Sequence, residues 1–220
     1  MGRRERIVKR PFVLFCEGDT EYNYFNGLRS SQQLDITIKT INMHGGGYKH
    51  FLDTVKKNNV SNRIATFIII DADRTQNNPS EFEALKKLAE YCKRQNSMKG
   101  EPPYFLIVNC PDFEYLACLH DKNFSSGDTA QHIKTKFKEK TLDDFKKRKD
   151  VYDFLNSNSR HYTNMLEQLK NKPKWISNEF KCYDKKSLIF SAETTYEQQK
   201  TPKKGSNIEE FFGVVFHKSI

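Results

Sequence analysis

The stretch Ile68-Ile69-Ile70-Asp71-Ala72-Asp73-Arg74 constrains this chain more than any other. Phe67 to Ile70 is an unbroken apolar run, which reads as a strand covered on both faces of a parallel sheet. Side chains alternate along a strand, so Asp71 and Asp73 are expected on one side just where the strand ends. In open α/β sheets that carboxyl end is where ligands bind. Two carboxylates held so close repel unless a cation lies between them or one stays protonated, and the expectation is a cation.

The runs before and after repeat the pattern. Phe12 to Cys16 reads as a first buried strand that ends in Glu17-Gly18, with a helix capped by Asp19 or Thr20 and carrying Glu21, Tyr24, Phe25 and Leu28. Leu34 to Ile41 alternates and reads as a strand nearer the sheet edge. His44-Gly45-Gly46-Gly47 precedes a helix from Tyr48 to Lys57. Its glycines would admit a phosphate or simply make a flexible loop, and the segment lacks the Lys-Ser/Thr ending of a nucleotide P-loop. A helix is expected over Glu81 to Arg94 and a strand over Tyr104 to Val108. Asn109-Cys110-Pro111 then leads into a helix from Asp112 to His120 whose first turn is acidic. Strand-helix alternation of this kind argues a layered α/β unit over residues 11–120.

From Asp121 the texture changes to a basic, mostly helical region, 121–220, expected to pack on the first. A helix start falls at Asp128 or Thr129. Lys134 to Lys149 is crowded with cations above Phe137, Leu142 and Phe145, a solvated helix face or a nucleic-acid track. Val151 to Lys170 is helix-like with a polar break at Asn156 to Ser159. Trp175 to Phe190 reads as a further helix and a short apolar segment, and Ser206 to Phe212 as a capped short helix.

Glu17, Glu21, Asp71 and Asp73 therefore stand at two strand ends and one helix start. Oxygen-only clusters of this kind select hard cations, Mg2+ or Mn2+, which polarise phosphoryl oxygens and acidify bound water. A net charge of +9 favours an anionic partner, nucleic acid foremost. Five cysteines without a Cys-x-x-Cys pair argue against a disulfide framework or a zinc ribbon, and Cys16 and Cys110 read as buried small residues. No run approaches the roughly 18 to 20 apolar residues of a membrane span and no signal-peptide pattern opens the chain, so a cytoplasmic protein without membrane contact is expected. His120 reads as a packed or capping histidine.

The motifs resemble a known family. Phe15-Cys16-Glu17-Gly18-Asp19-Thr20-Glu21 with Tyr24-Phe25 resembles the first motif of Toprim domains in the form found in OLD-type (overcoming lysogenization defect) nucleases. Ile70-Asp71-Ala72-Asp73-Arg74 resembles the Asp-x-Asp motif of the same domain. Asn109 to His120 is similar to the Asn-Pro-Cys-Phe-Glu-Leu-Trp signature of RloB-like proteins, with Pro and Cys exchanged and Asp112 inserted. The resemblance implies a Toprim fold with metal-dependent phosphodiester hydrolysis of RNA, such as tRNA, or DNA. It makes Glu17 a general acid/base or metal ligand, Asp71 and Asp73 the metal pair, and Glu21 the second glutamate. Glu114 and Asn109 are secondary candidates, and Lys185 and Lys186 candidate catalytic cations. It further implies an anti-phage role, often beside a partner ATPase, with self-association open. The alternative is a non-catalytic subunit that binds nucleic acid or the ATPase.

Overall fold

The computed structural model describes residues 10–33, 37–42, 47–58, 62–124, 127–185 and 188–216, with the backbone alone over 37–42. Met1 to Lys9, Leu34 to Ile36, His44 to Gly46, Ser125-Ser126 and Lys186 lie outside these residues.

Three apolar runs become strands β1 (Pro11–Cys16), β3 (Ala65–Asp71) and β4 (Tyr104–Asn109), joined by β2 (Thr37–Asn42) in one parallel sheet of order β2-β1-β3-β4. The runs are continuous because both faces are covered. Phe12 and Leu14, Phe67 and Ile69, and Phe105 and Ile107 enter one core. Val13 and Phe15, Ile68 and Ile70, and Leu106 and Val108 enter the other. Helices α2 (Tyr48–Lys57) and α3 (Pro79–Asn96) cover the second face. Helices α1 (Asp19–Ser31) and α4 (Phe113–Leu119) contribute to the first.

Beyond α4 come α5 (Thr129–Thr135), α6 (Leu142–Lys146), α7 (Val151–Leu155) and α8 (Tyr162–Leu169). Asp128 caps α5 by accepting Gln131 N–H at 3.0 Å. The polar break falls between α7 and α8, as expected. Ile133, Phe145, Val151 and Leu169 join the same core as α1 and β1, so buried apolar residues from both sides of Asp121 pack together.

One expected helix is a hairpin. Trp175 to Phe190 opens strand β5 (Ile176–Asp184), paired antiparallel with β6 (Ile189–Tyr196). Along β5 the inner positions Ile176 and Asn178 are buried while Glu179 and Lys181 are exposed, a period of two that the lysines and the cysteine hide in the sequence. The last helix, α9 (Ile208–Val215), packs on β4.

The edge strand β4 is closed by side chains. Asn178 and Asn207 each donate to Leu106 O, at 3.0 and 2.9 Å, and Val108 N–H donates to Asn207 Oδ1 at 2.9 Å. Glu210 accepts from both asparagines and holds the clamp together. A chain segment thus protects an edge that would otherwise offer unpaired backbone groups.

Candidate active site

The acids gather where the C-terminal ends of β1, β3 and β4 meet the starts of α1 and α4. Glu17 follows β1 and is buried, and its Oε2 accepts the Asp71 backbone N–H at 3.1 Å. Its Oε1 lies 3.3 Å from the Arg74 guanidinium. Gly18, and neither Asp19 nor Thr20, is the N-cap of α1. A Cβ there would stand 3.2 Å from Glu21 Oε2 and press on that carboxylate. Glu21, one turn into α1, is buried and shares the cluster.

Asp71 is the last residue of β3, half-buried, with Oδ1 accepting from Asn109 Nδ2 at 3.3 Å. Asn109 is fully buried, and its Oδ1 accepts the Ser206 hydroxyl at 2.9 Å. The Tyr48 hydroxyl donates to Asp71 O at 2.6 Å. Asp73 stands apart from this packed group. The chain leaves strand geometry at Ala72 (φ −102°, ψ 5°) and enters a short 3-10 turn, Asp73–Thr75, so the alternation that aligned the two aspartates stops at Asp71. Asp73 is exposed, near enough to Glu17 and Asp112 to raise the pKa of each.

Glu114 joins the cluster from α4. The N-terminus of that helix is capped by Asp112, which accepts Tyr115 N–H at 2.8 Å, leaving Glu114 buried and 3.5 Å from Lys146 Nζ. Sequence reasoning had no means of singling out Lys146 from the cations around it, and it overlooked Asp112 and Ser206 as parts of this rim. Lys185 follows β5 at the hairpin tip, beside Tyr183 and Ile189, which line a cavity with Arg10, Ile64 and Pro103 at the opposite end of the sheet. His120 is packed as expected, between the Tyr24 hydroxyl and Leu116 O, each at 3.0 Å. The helix start after the glycine run has an anion of its own: Tyr48 N–H donates to Glu81 Oε2 at 3.3 Å.

Electrostatics bind the group together. Burial raises Asp71 well above the usual carboxylate range, and Glu21, Glu114, Glu17 and Asp112 push it further. Glu21 is raised to about 8, by burial first and by repulsion from Glu114 and Glu17. Burial also raises Glu17, Asp112 and Glu114. Burial would lower Lys146, yet its pKa rises because Glu114, Asp112 and Asp71 hold its charge. The site is a nest of carboxylates short of positive charge.

That donor set, oxygen only and acidic, fits a hard divalent cation in its chemistry. Among the described residues, however, no three His, Cys, Asp or Glu side chains are grouped closely enough to hold an ion as they stand. The carboxylates are parcelled out instead: Glu17 to Arg74 and the Asp71 amide, Glu114 to Lys146, Asp71 to Asn109.

A parallel α/β sheet with a buried acidic rim at the carboxyl ends of its strands defines the class of protein. More particularly, the chain belongs to the RloB-like protein family, whose model matches residues 12–211. No curated protein matches it. Among solved structures, it is similar to the C-terminal region of the Burkholderia pseudomallei OLD protein at 14% identity and a TM-score of 0.39, covering 73% of this chain and 96% of that one. So loose a likeness carries no argument about the site. Among the described residues no helix is long and apolar enough to cross a membrane.

Proposed function

We propose that this protein is a metal-dependent nuclease on a Toprim-like sheet, hydrolysing phosphodiester bonds of RNA or DNA in anti-phage defence. The observation that carries the reading is the gathering of Glu17, Glu21, Asp71 and Glu114 at the carboxyl rim of the parallel sheet, where burial raises the pKa of each and repulsion within the group raises Glu21 and Asp71 further. Buried like charges cost stability unless something uses them, and a divalent cation is the natural neutraliser.

Glu17, Glu21 and Asp71, with Asp73 reaching in from solvent, would hold Mg2+ or Mn2+. Such an ion, when bound, supplies charge stabilisation at the phosphoryl oxygen and a more acidic water. Asn109, itself held by Ser206, orients Asp71. Glu17 is the carboxylate placed to move a proton, since it stands at the strand end beside Asp71 and burial raises its pKa. Arg74 and Lys146 supply fixed positive charge where negative charge grows on the phosphate. Residues 11–120 are the catalytic unit in this reading, 121–220 its substrate-facing cover, and an ATPase or a second copy of the chain its partners.

The parcelled carboxylates favour a second reading, a non-catalytic subunit that binds nucleic acid or an ATPase. Cleavage of tRNA, single-stranded DNA and duplex DNA with Mg2+ or Mn2+ separates the two. The nuclease reading expects cleavage that the Glu17→Gln, Asp71→Asn double variant abolishes. Equal cleavage by that variant, or none by the wild type on any substrate, overturns it.

A further inference from the structure

We propose that the stretch from Lys134 to Lys149 is a nucleic-acid track that leads along α5 and α6 to the acidic rim. Its destination rests on the nuclease reading; its binding role does not.

The segment has two sides. Ile133, Phe137 and Phe145 are buried in the main core and fix it in place. Lys134, Lys136, Lys138, Lys140, Lys147 and Lys149 are all exposed. Among the described residues none of these six forms an ion pair, whereas neighbouring Arg148 is held by Glu139 and Asp150. The acids nearby thus secure the fold of the segment and leave its lysines to solvent.

Its inner end is pinned at the site. The Thr20 hydroxyl donates to Lys146 O at 3.4 Å, and Asn23 Nδ2 donates to Arg148 O at 3.3 Å, which lays the segment on α1 beside Glu21. Lys146 Nζ then reaches Glu114 inside the rim. Lys146 therefore joins the exposed lysines to the buried carboxylates, across a first turn of α6 that also carries Asp143 and Asp144. A polyanion meeting only the acidic nest would be repelled, so a cationic approach is what the site requires.

An independent observation comes from the backbone. Lys138 has φ +61°, in the left-handed region, where the end of α5 is closed by Phe137 N–H to His132 O and Glu139 N–H to Ile133 O, each at 3.3 Å. Glycine is the residue that this geometry favours. A lysine there keeps a charge at the expense of backbone strain, which points to a use for the side chain.

The test measures binding of fluorescein-labelled single-stranded and duplex oligonucleotides in EDTA across a salt series. Each phosphate contact contributes about 0.7 to 0.9 to the slope of log affinity against log salt. The Lys136→Gln, Lys138→Gln, Lys140→Gln triple variant should lower affinity and reduce the slope by about 2 to 3. Lys138→Gly should weaken binding while raising the melting midpoint, a pairing of signs that general damage cannot produce. Lys87→Gln with Lys93→Gln, exposed on α3 across the sheet, should change neither affinity nor slope. An unchanged slope in the triple variant overturns the proposal, as does an equal loss in the α3 pair. So does a Lys138→Gly protein that is stabilised but binds normally. Because EDTA removes cleavage from the measurement, a protein that binds through this track yet never cleaves keeps the track and loses the nuclease reading.

Discussion

Replacing Gly205 with alanine would place a Cβ 2.1 Å from the Pro173 carbonyl oxygen and 3.2 Å from Lys172 Cβ. No positive φ demands glycine here; space does. Ordinary van der Waals contact begins near 3.4 Å, so the 205 strap must retreat by more than an ångström from a backbone that cannot swing aside like a side chain. The strap is tied to the end of β4 by Cys110 N–H to Gly205 O at 2.9 Å and Gly205 N–H to Cys110 O at 3.0 Å. Losing both hydrogen bonds costs about 1 kcal/mol each, and overpacking adds about 1 kcal/mol more. The sum, about 3 kcal/mol, corresponds to a fall of roughly 6 to 12 °C in melting midpoint for a chain of this size. Retreat would also draw Ser206 from Asn109, and with it the group that orients Asp71. The assay is thermal unfolding by circular dichroism without metal, with Ser206→Ala alongside. Ser206→Ala removes only the buried side-chain bonds and should cost about 1 to 2 kcal/mol. A Gly205→Ala protein that melts with the wild type would refute the argument from packing.

Other perturbations have equally definite signs. His120 is neutral in the fold, its pKa lowered to about 4 by burial. Stability that it contributes is present above the unfolded value near 6.5 and is lost as pH falls from there towards 4, up to about 3 kcal/mol. Relative to His120→Gln, the wild type should lose that amount between pH 7 and pH 4 in urea unfolding, and a pH-independent difference would sink the idea. Gly27→Ala should destabilise despite alanine's better helix propensity, because its Cβ would lie 2.5 Å from Tyr152 Cβ where α1 meets α7. A loss of about 1 to 3 kcal/mol is expected in the same unfolding experiment. Millimolar Mg2+ should raise the melting midpoint of the wild type by mass action and leave Glu17→Gln, Asp71→Asn unmoved, and equal shifts in both would separate metal binding from this rim.

Much of the fold was legible because of how a doubly covered sheet is built. Phe12 to Cys16, Phe67 to Ile70 and Tyr104 to Val108 had to be apolar at consecutive positions once both faces were packed, and each became a strand. Helix α2 matched its expected span because Gly47 and the apolar stripe of Phe51, Leu52 and Val55 mark it locally. The hairpin β5–β6 escaped notice because its outward lysines and glutamates look like a solvated helix face. Where β4 lies was likewise hidden: its continuous apolar run marks a strand without giving its place, and it is an edge closed by Asn178 and Asn207.

By itself the amino-acid sequence determined the parallel strands and the acids set at their ends, since local periodicity and strand-end position are properties of neighbours along the chain. The tertiary structure alone decided which groups share the rim. It left Asp73 exposed, turned Glu114 inward against Lys146, and chose that lysine from a crowded run. Those choices depend on side chains brought together from remote segments, where burial and like charge act through space and leave no mark on sequence spacing.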